Sequence, residues 1–245
     1  MNRTLKFVAI VGILLALICL PFAAAIRAAA HGSWFGSWRS VSSWVSDDQA
    51  SGDSGSIVTR DYAWSGVDRL ELDIPGHVRF RPAPTWHLSI RGREGTLNRI
   101  VVEDGRIRDK NHGLFFGWHH SQPVEVDLSG PVLHEATLNG SGTIEFQGLD
   151  QDSLRVEIRG SGSASGNGKV QSLKLQIMGS GSARLAHLAE TNADVTIDGS
   201  GEADVSPSGD TQVTIAGSGD VRLHAHPTQL STHIYGSGHI SEVKG

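Results

Sequence analysis

The tripeptide Gly-Ser-Gly occurs six times in the second half of the chain, at 140–142, 160–162, 179–181, 199–201, 217–219 and 236–238. The steps between occurrences are 20, 19, 20, 18 and 19 residues. A period this regular marks stacked supersecondary units. Within each unit apolar residues alternate with period two, as in strands, and not with the 3.6 of a helix. One unit reads Val195, Ile197, Gly199, Gly201, Ala203, Val205, and the unit before it Leu173, Leu175, Ile177, Gly179, Gly181, Ala183, Leu185. Leu154, Val156, Ile158, Gly160, Gly162, Ala164 and Val213, Ile215, Gly217, Gly219, Val221, Leu223 repeat the phase.

The alternation runs straight through the turns. It predicts that both glycines of each turn face inward: Gly140 and Gly142, Gly160 and Gly162, Gly179 and Gly181, Gly199 and Gly201, Gly217 and Gly219, Gly236 and Gly238. Such corners leave no room for a Cβ, or require dihedrals that only glycine adopts. The serines between them, Ser141, Ser161, Ser180, Ser200, Ser218 and Ser237, are predicted to point outward as a ladder with rungs ~4.8 Å apart. One coil cannot bury its own apolar face, but a stack can. The fold class expected is all-β: a parallel β-helix, or β-solenoid, with rungs of about 19 residues. Outer turns are expected at 165–168, 206–210 and 226–228, which are rich in Gly, Pro, Ser and Asn.

Residues 57–130 carry weaker alternation, in Leu70, Leu72, Ile74, Gly76, Val78 and Phe80 and again in Val124, Val126 and Leu128. Ile74-Pro75-Gly76 stands where a Gly-Ser-Gly corner would be. These residues are read as irregular first rungs, with 131–245 as the regular ones, because a terminal repeat must close an open end. A short helical turn is expected over 96–100, and an aromatic loop around Leu114-Phe115-Phe116-Gly117-Trp118-His119-His120.

The N-terminus has the parts of a targeting segment. Arg3 and Lys6 precede an apolar run over 7–20, Pro21 breaks it, and Ala23-Ala24-Ala25 follows. Residues 1–30 fit a cleaved signal peptide, and 7–26 are also long enough to anchor the chain in a bilayer. Both predict an exported protein of the periplasm or cell surface. Residues 31–56 read as a Ser/Gly linker carrying Trp34, Phe35, Trp38 and Trp44, which suit a membrane interface or the surface of the β domain.

Composition excludes some functions. The formal net charge is −5 and there is no basic cluster, so nucleic acid is not an expected partner. Cys19, the single cysteine, lies in the N-terminal run, so the β domain has no thiol chemistry.

The pattern resembles the head GIN domain family of autotransporter adhesins. The resemblance rests on Ser65-Gly66-Val67-Asp68-Arg69-Leu70-Glu71-Leu72, on Leu97-Asn98-Arg99-Ile100-Val101-Val102, and on serial units such as Ile197-Asp198-Gly199-Ser200-Gly201-Glu202-Ala203. It spans about 57–243. It implies a right-handed β-helix at the cell envelope and supplies no catalytic residue.

The residues bear on three chemistries. A calcium array needs an acidic residue at one fixed position per turn, but that position holds Thr143, Ser163, Ser182, Glu202, Asp220 and His239. A single weak site near Asp198, Glu202 and Asp220 is left open. His224 and His226 share the outward phase of one expected strand, with His239 one rung above beside Asp220, which is fewer ligands than structural zinc requires. No cofactor is expected. The outward residues before the turns, Asn139, Arg159, Met178, Asp198, Ala216 and Tyr235, form no paired carboxylate set for polysaccharide cleavage. The expected function is a non-catalytic envelope module. Its serine ladder, with Asp198, Glu202, Asp220 and Tyr235, contacts glycans or envelope proteins. The alternatives are a polysaccharide-processing enzyme and a module that oligomerises by stacking its end rung on another copy.

Overall fold

The computed structural model describes residues 55–110 and 123–243. The N-terminal targeting segment, most of the linker and the aromatic loop around Phe115 lie outside the described residues. Among those described, no helix is long and apolar enough to cross a membrane.

The protein is a β-solenoid. Seven corners connect two parallel ladders. The ladder that enters the corners contains β2 (Arg69–Leu72), β8 (Glu135–Gly140), the second halves of β9 (Thr143–Gly160), β10 (Ser163–Gly179) and β11 (Ser182–Gly199), then β13 (Asp210–Gly217) and β15 (Gln229–Gly236). The ladder that leaves them contains β3 (Gly76–Pro82), the first halves of β9, β10 and β11, then β12 (Glu202–Pro207), β14 (Asp220–Leu223) and β16 (His239–Glu242). Ile74-Pro75-Gly76 is the first corner and the six Gly-Ser-Gly turns are the other six.

The core follows from the period-two pattern. Ile158, Ile177, Ile197 and Ile215 stack in register in the entering ladder, and all are fully buried. Ile144, Ala164, Ala183, Ala203 and Val221 form the corresponding buried column of the leaving ladder. Opposite the corners the chain bends at bulges, with register shifts at 166–168 and 165–167. Residues 165–168, expected as an outer turn, are therefore a bulge within the continuous strand β10. Gly168, at φ +124, lies so close to Leu149 that a Cβ would meet its backbone N at 2.4 Å. The turns after Pro207 and around Pro227 do interrupt the strands, as expected.

The N-terminal end is closed by strands that leave the solenoid pattern. β1 (Ile57–Tyr62) and β4 (His87–Arg93) run antiparallel, and β4 is also antiparallel to β7 (Val124–Gly130). β5 (Ile100–Glu103) is antiparallel to β6 (Arg106–Asp109). β6 and β7 run parallel to β2 and β3. A four-residue helix, α1 (Glu94–Leu97), precedes β5, two residues ahead of the expected turn. Asp73, 9% exposed, ties this end together by accepting hydrogen bonds from Arg106 of β6 and Asn139 of β8. Trp86 packs between Trp64 and Phe80, at centroid separations of 5.9 and 6.4 Å.

Candidate binding face

The corner column is built from backbone. The N–H of each serine donates to the carbonyl of the first glycine one rung below: Ser161 to Gly140, Ser180 to Gly160, Ser200 to Gly179, Ser218 to Gly199 and Ser237 to Gly217, at 2.8–2.9 Å. The N–H after the second glycine donates to the second glycine below, as from Ser182 to Gly162 at 3.0 Å. Every ladder serine is exposed.

The two glycines of a turn have different jobs, which corrects the expectation that both face inward. The first has φ between +98° and +139° and is not buried. A Cβ on it would point along the stack into the first glycine below, 2.4 Å from the Gly179 carbonyl oxygen in the case of Gly199. The second glycine faces the core. A Cβ on Gly181, Gly201, Gly219 or Gly238 would lie 2.6–2.7 Å from an isoleucine Cγ2. The first is glycine because of its dihedral and the stacking above it, the second because the core closes over it.

The residues proposed from sequence divide between the two sides of the corner. Asn139, Arg159, Met178, Asp198, Ala216 and Tyr235 form one in-register column entering it. Thr143, Ser163, Ser182, Glu202, Asp220 and His239 form another leaving it. Glu202 and Asp220 are thus neighbours on adjacent rungs, while Asp198 sits in the entering column beside Met178 and Ala216. The Glu202 carboxylate pairs with Arg222. Among the described residues no three His, Cys, Asp or Glu side chains converge on a metal position. His224 and His226 do not share a strand, since β14 ends at Leu223. His224 lies 3.2 Å from Asp204, and His226 lies 2.8 Å from Glu242.

A further column was not anticipated. Two residues beyond Thr143 and its equivalents, Arg79, Glu145, Ser165, Arg184, Asp204, Arg222 and Ser241 stand in register along the leaving ladder. Basic, acidic and hydroxyl side chains are mixed along this column. Arg222 lies 3.1 Å from Asp204, and its hydrogen bonds to Asp204 and Glu202 raise its pKa. Where this column meets the bulges the outer surface is hollowed into an open groove of about 610 Å³, lined by Glu145, Ser165, Asn167, Arg184, His187, Asp204, Arg222 and His224 among others. Asn167 is held there by accepting from the Gly148 N–H at 2.8 Å. Arg184 is exposed and makes no salt bridge among the described residues. Counting five residues on from the first glycine of each turn finds this column in the sequence. The hollow itself depends on the bulge.

The fold and this face can be set beside known proteins. Residues 120–227 match the family model described as "Putative auto-transporter adhesin, head GIN domain". A crystal structure of a "putative adhesin" from Bacteroides fragilis has a TM-score of 0.61 at 18% identity, covering 78% of this chain and 99% of that one. A structure from Parabacteroides distasonis, described as a "putative lipid binding protein", covers 78% of this chain and 98% of its own at 19% identity and a TM-score of 0.48. No curated protein matches the chain. Residues 120–227 are thus similar to the head GIN domain of putative auto-transporter adhesins.

Proposed function

We infer that this protein is an exported, non-catalytic, adhesin-like module of the cell envelope, and that its leaving ladder contacts glycans or another envelope protein. The observation carrying this reading is the in-register column Glu145–Ser165–Arg184–Asp204–Arg222 along an open groove. Charged and hydroxyl groups recurring every ~4.8 Å suit many weak contacts with a repeating polymer. The acidic members are largely engaged: Asp204 by Arg222 and His224, and Glu145 by His77 at 3.7 Å. Arg184 is left to meet an anionic group such as a uronate carboxylate, which a guanidinium recognises through two parallel hydrogen bonds. The apolar run at 7–20 and the family name support the envelope location.

The test is a glycan array probed with the purified chain and with Arg184→Ala. Binding to acidic glycans that falls several-fold in the variant, with the bound polymer left intact, is the expected result. Polymer shortening that disappears in Asp198→Ala or Glu202→Ala would replace this reading with the enzymatic one.

A further inference from the structure

The two ends of the solenoid are built differently. At the N-terminal end β1, β4 and β5 turn antiparallel, and the outer strand β1 carries Arg60 and Asp61, charges that discourage edge pairing. The C-terminal end has no such closure among the described residues. β15 pairs only with β13, and β16 only with β14. All eight residues of β15 are exposed. Leu230 and Ile234 continue inward columns whose previous members, Thr211 and Ile215, are buried, yet they are 40% and 44% exposed.

We propose that this end rung is a self-association surface, on which a second copy of the chain docks by two-fold pairing of β15 with β15. Three observations select a second copy. The end presents the edges of two ladders at once, and another solenoid end offers two matching edges at the same separation. Charge permits the meeting of like with like: β15 contains no Asp, Glu, Lys or Arg, and Glu242, the only acidic residue of β16, is paired with His226 at 2.8 Å. The inward residues of β15 are also symmetric, with Leu230 and Ile234 each two positions from Thr232. Antiparallel pairing centred on Thr232 sets Leu230 against Ile234 of the second copy twice over, at the short range of cross-strand pairs.

A two-fold contact closes on itself, so the product is a dimer and not a fibre. At the other end the outer edge belongs to β1, an antiparallel strand bearing Arg60 and Asp61, which does not match the uncharged edge of β15. β15 and β16 together offer fewer residues than the roughly 20–30 per side of a standard interface, so the dimer dissociates on dilution.

The full chain in detergent solution, studied by analytical ultracentrifugation, tests this. A concentration-dependent monomer–dimer equilibrium is expected, and Ile234→Lys and Leu230→Lys should each shift it to monomer with unchanged circular dichroism. In a Cys19→Ser background, Thr232→Cys should form an intermolecular disulfide, and the wall position Ser182→Cys should not. Overturning results are a chain that stays monomeric at every concentration, association unchanged by Ile234→Lys, or cross-linking as strong at 182 as at 232. If the lysine variants lose their fold, Ile234→Thr takes their place: a folded variant shifted to monomer supports the proposal, and a folded variant that associates like wild type overturns it.

Discussion

Gly199 stands directly above Gly179, so close that a Cβ on Gly199 would lie 2.4 Å from the Gly179 carbonyl oxygen. That carbonyl is also the acceptor for the Ser200 N–H at 2.9 Å. The same contact recurs at Gly160, Gly179, Gly217 and Gly236. The corner column is thus held by main chain pressed against main chain, and its tolerance of substitution should alternate residue by residue.

Gly199→Val should cost ~3 kcal/mol or more, because it combines a disfavoured φ of +132° with a backbone clash. Ser200→Val, at an exposed position, should stay within ~0.5 kcal/mol of wild type. Urea unfolding of both variants measures the difference. Equal tolerance would mean that the corner is not packed as described.

The second glycine should fail for another reason. Gly201→Ala places a methyl 2.6 Å from Ile177 Cγ2 at a backbone conformation that alanine can adopt. Removing that methyl partner should relieve part of the clash. The double variant Gly201→Ala/Ile177→Ala is expected to be more stable than the sum of its parts by ~0.5 kcal/mol or more. No such coupling is expected between Gly199→Ala and Ile177→Ala. A double-mutant cycle from denaturant midpoints reads both.

Glu190 should make stability depend on pH. It is 2% exposed, its Oε2 accepts from the Ser206 N–H at 2.8 Å, and burial pushes its pKa from 4.5 to about 8. Between those values the folded protein holds a proton that the unfolded chain has released. Stability is therefore greatest, as far as this group is concerned, below pH 4.5, and it falls as pH rises toward 8 by up to ~1.4 kcal/mol per unit. Glu190→Gln keeps the shape of the neutral acid and should flatten this slope, melting higher than wild type at pH 8.5. An unchanged slope in the variant would show that Glu190 does not carry the dependence.

Asp73→Ala should destabilise the N-terminal end by ~1–3 kcal/mol, since it removes the acceptor shared by Arg106 and Asn139 across β2, β6 and β8. Hydrogen exchange should show the loss first in β5 and β6 and last in β10 and β11. Uniform loss along the solenoid would argue against the tie as a local clasp.

Much of this architecture can be read in advance. Ile158, Ile177, Ile197 and Ile215 each precede a glycine turn by the same two residues, so their stacking is implicit in the repeat. Ile74-Pro75-Gly76 takes its place as the first corner by the same phase. Other features were not legible. No local pattern marks Glu190 for burial, and it is buried between its register neighbours Val170 and Pro207. The antiparallel turn of β4 follows from pairing with β7, about forty residues away, which no local alternation encodes. His224 and His226 looked like partners by spacing, and the end of β14 between Leu223 and His224 sends them to separate carboxylates.

The sequence by itself determined the repeat length, the strand phase, the core columns and the outward serines, because period-two alternation and a step of 18–20 residues are written in the order of residues along the chain. Tertiary structure alone decided why each turn has two glycines, how the antiparallel strands seal the N-terminal end, and where the groove lies. Those depend on what the rung above or below places against a residue, and on how a bulge bends the ladder. Both are set across rungs by packing and hydrogen bonding, and they leave no mark in the order of residues within one rung.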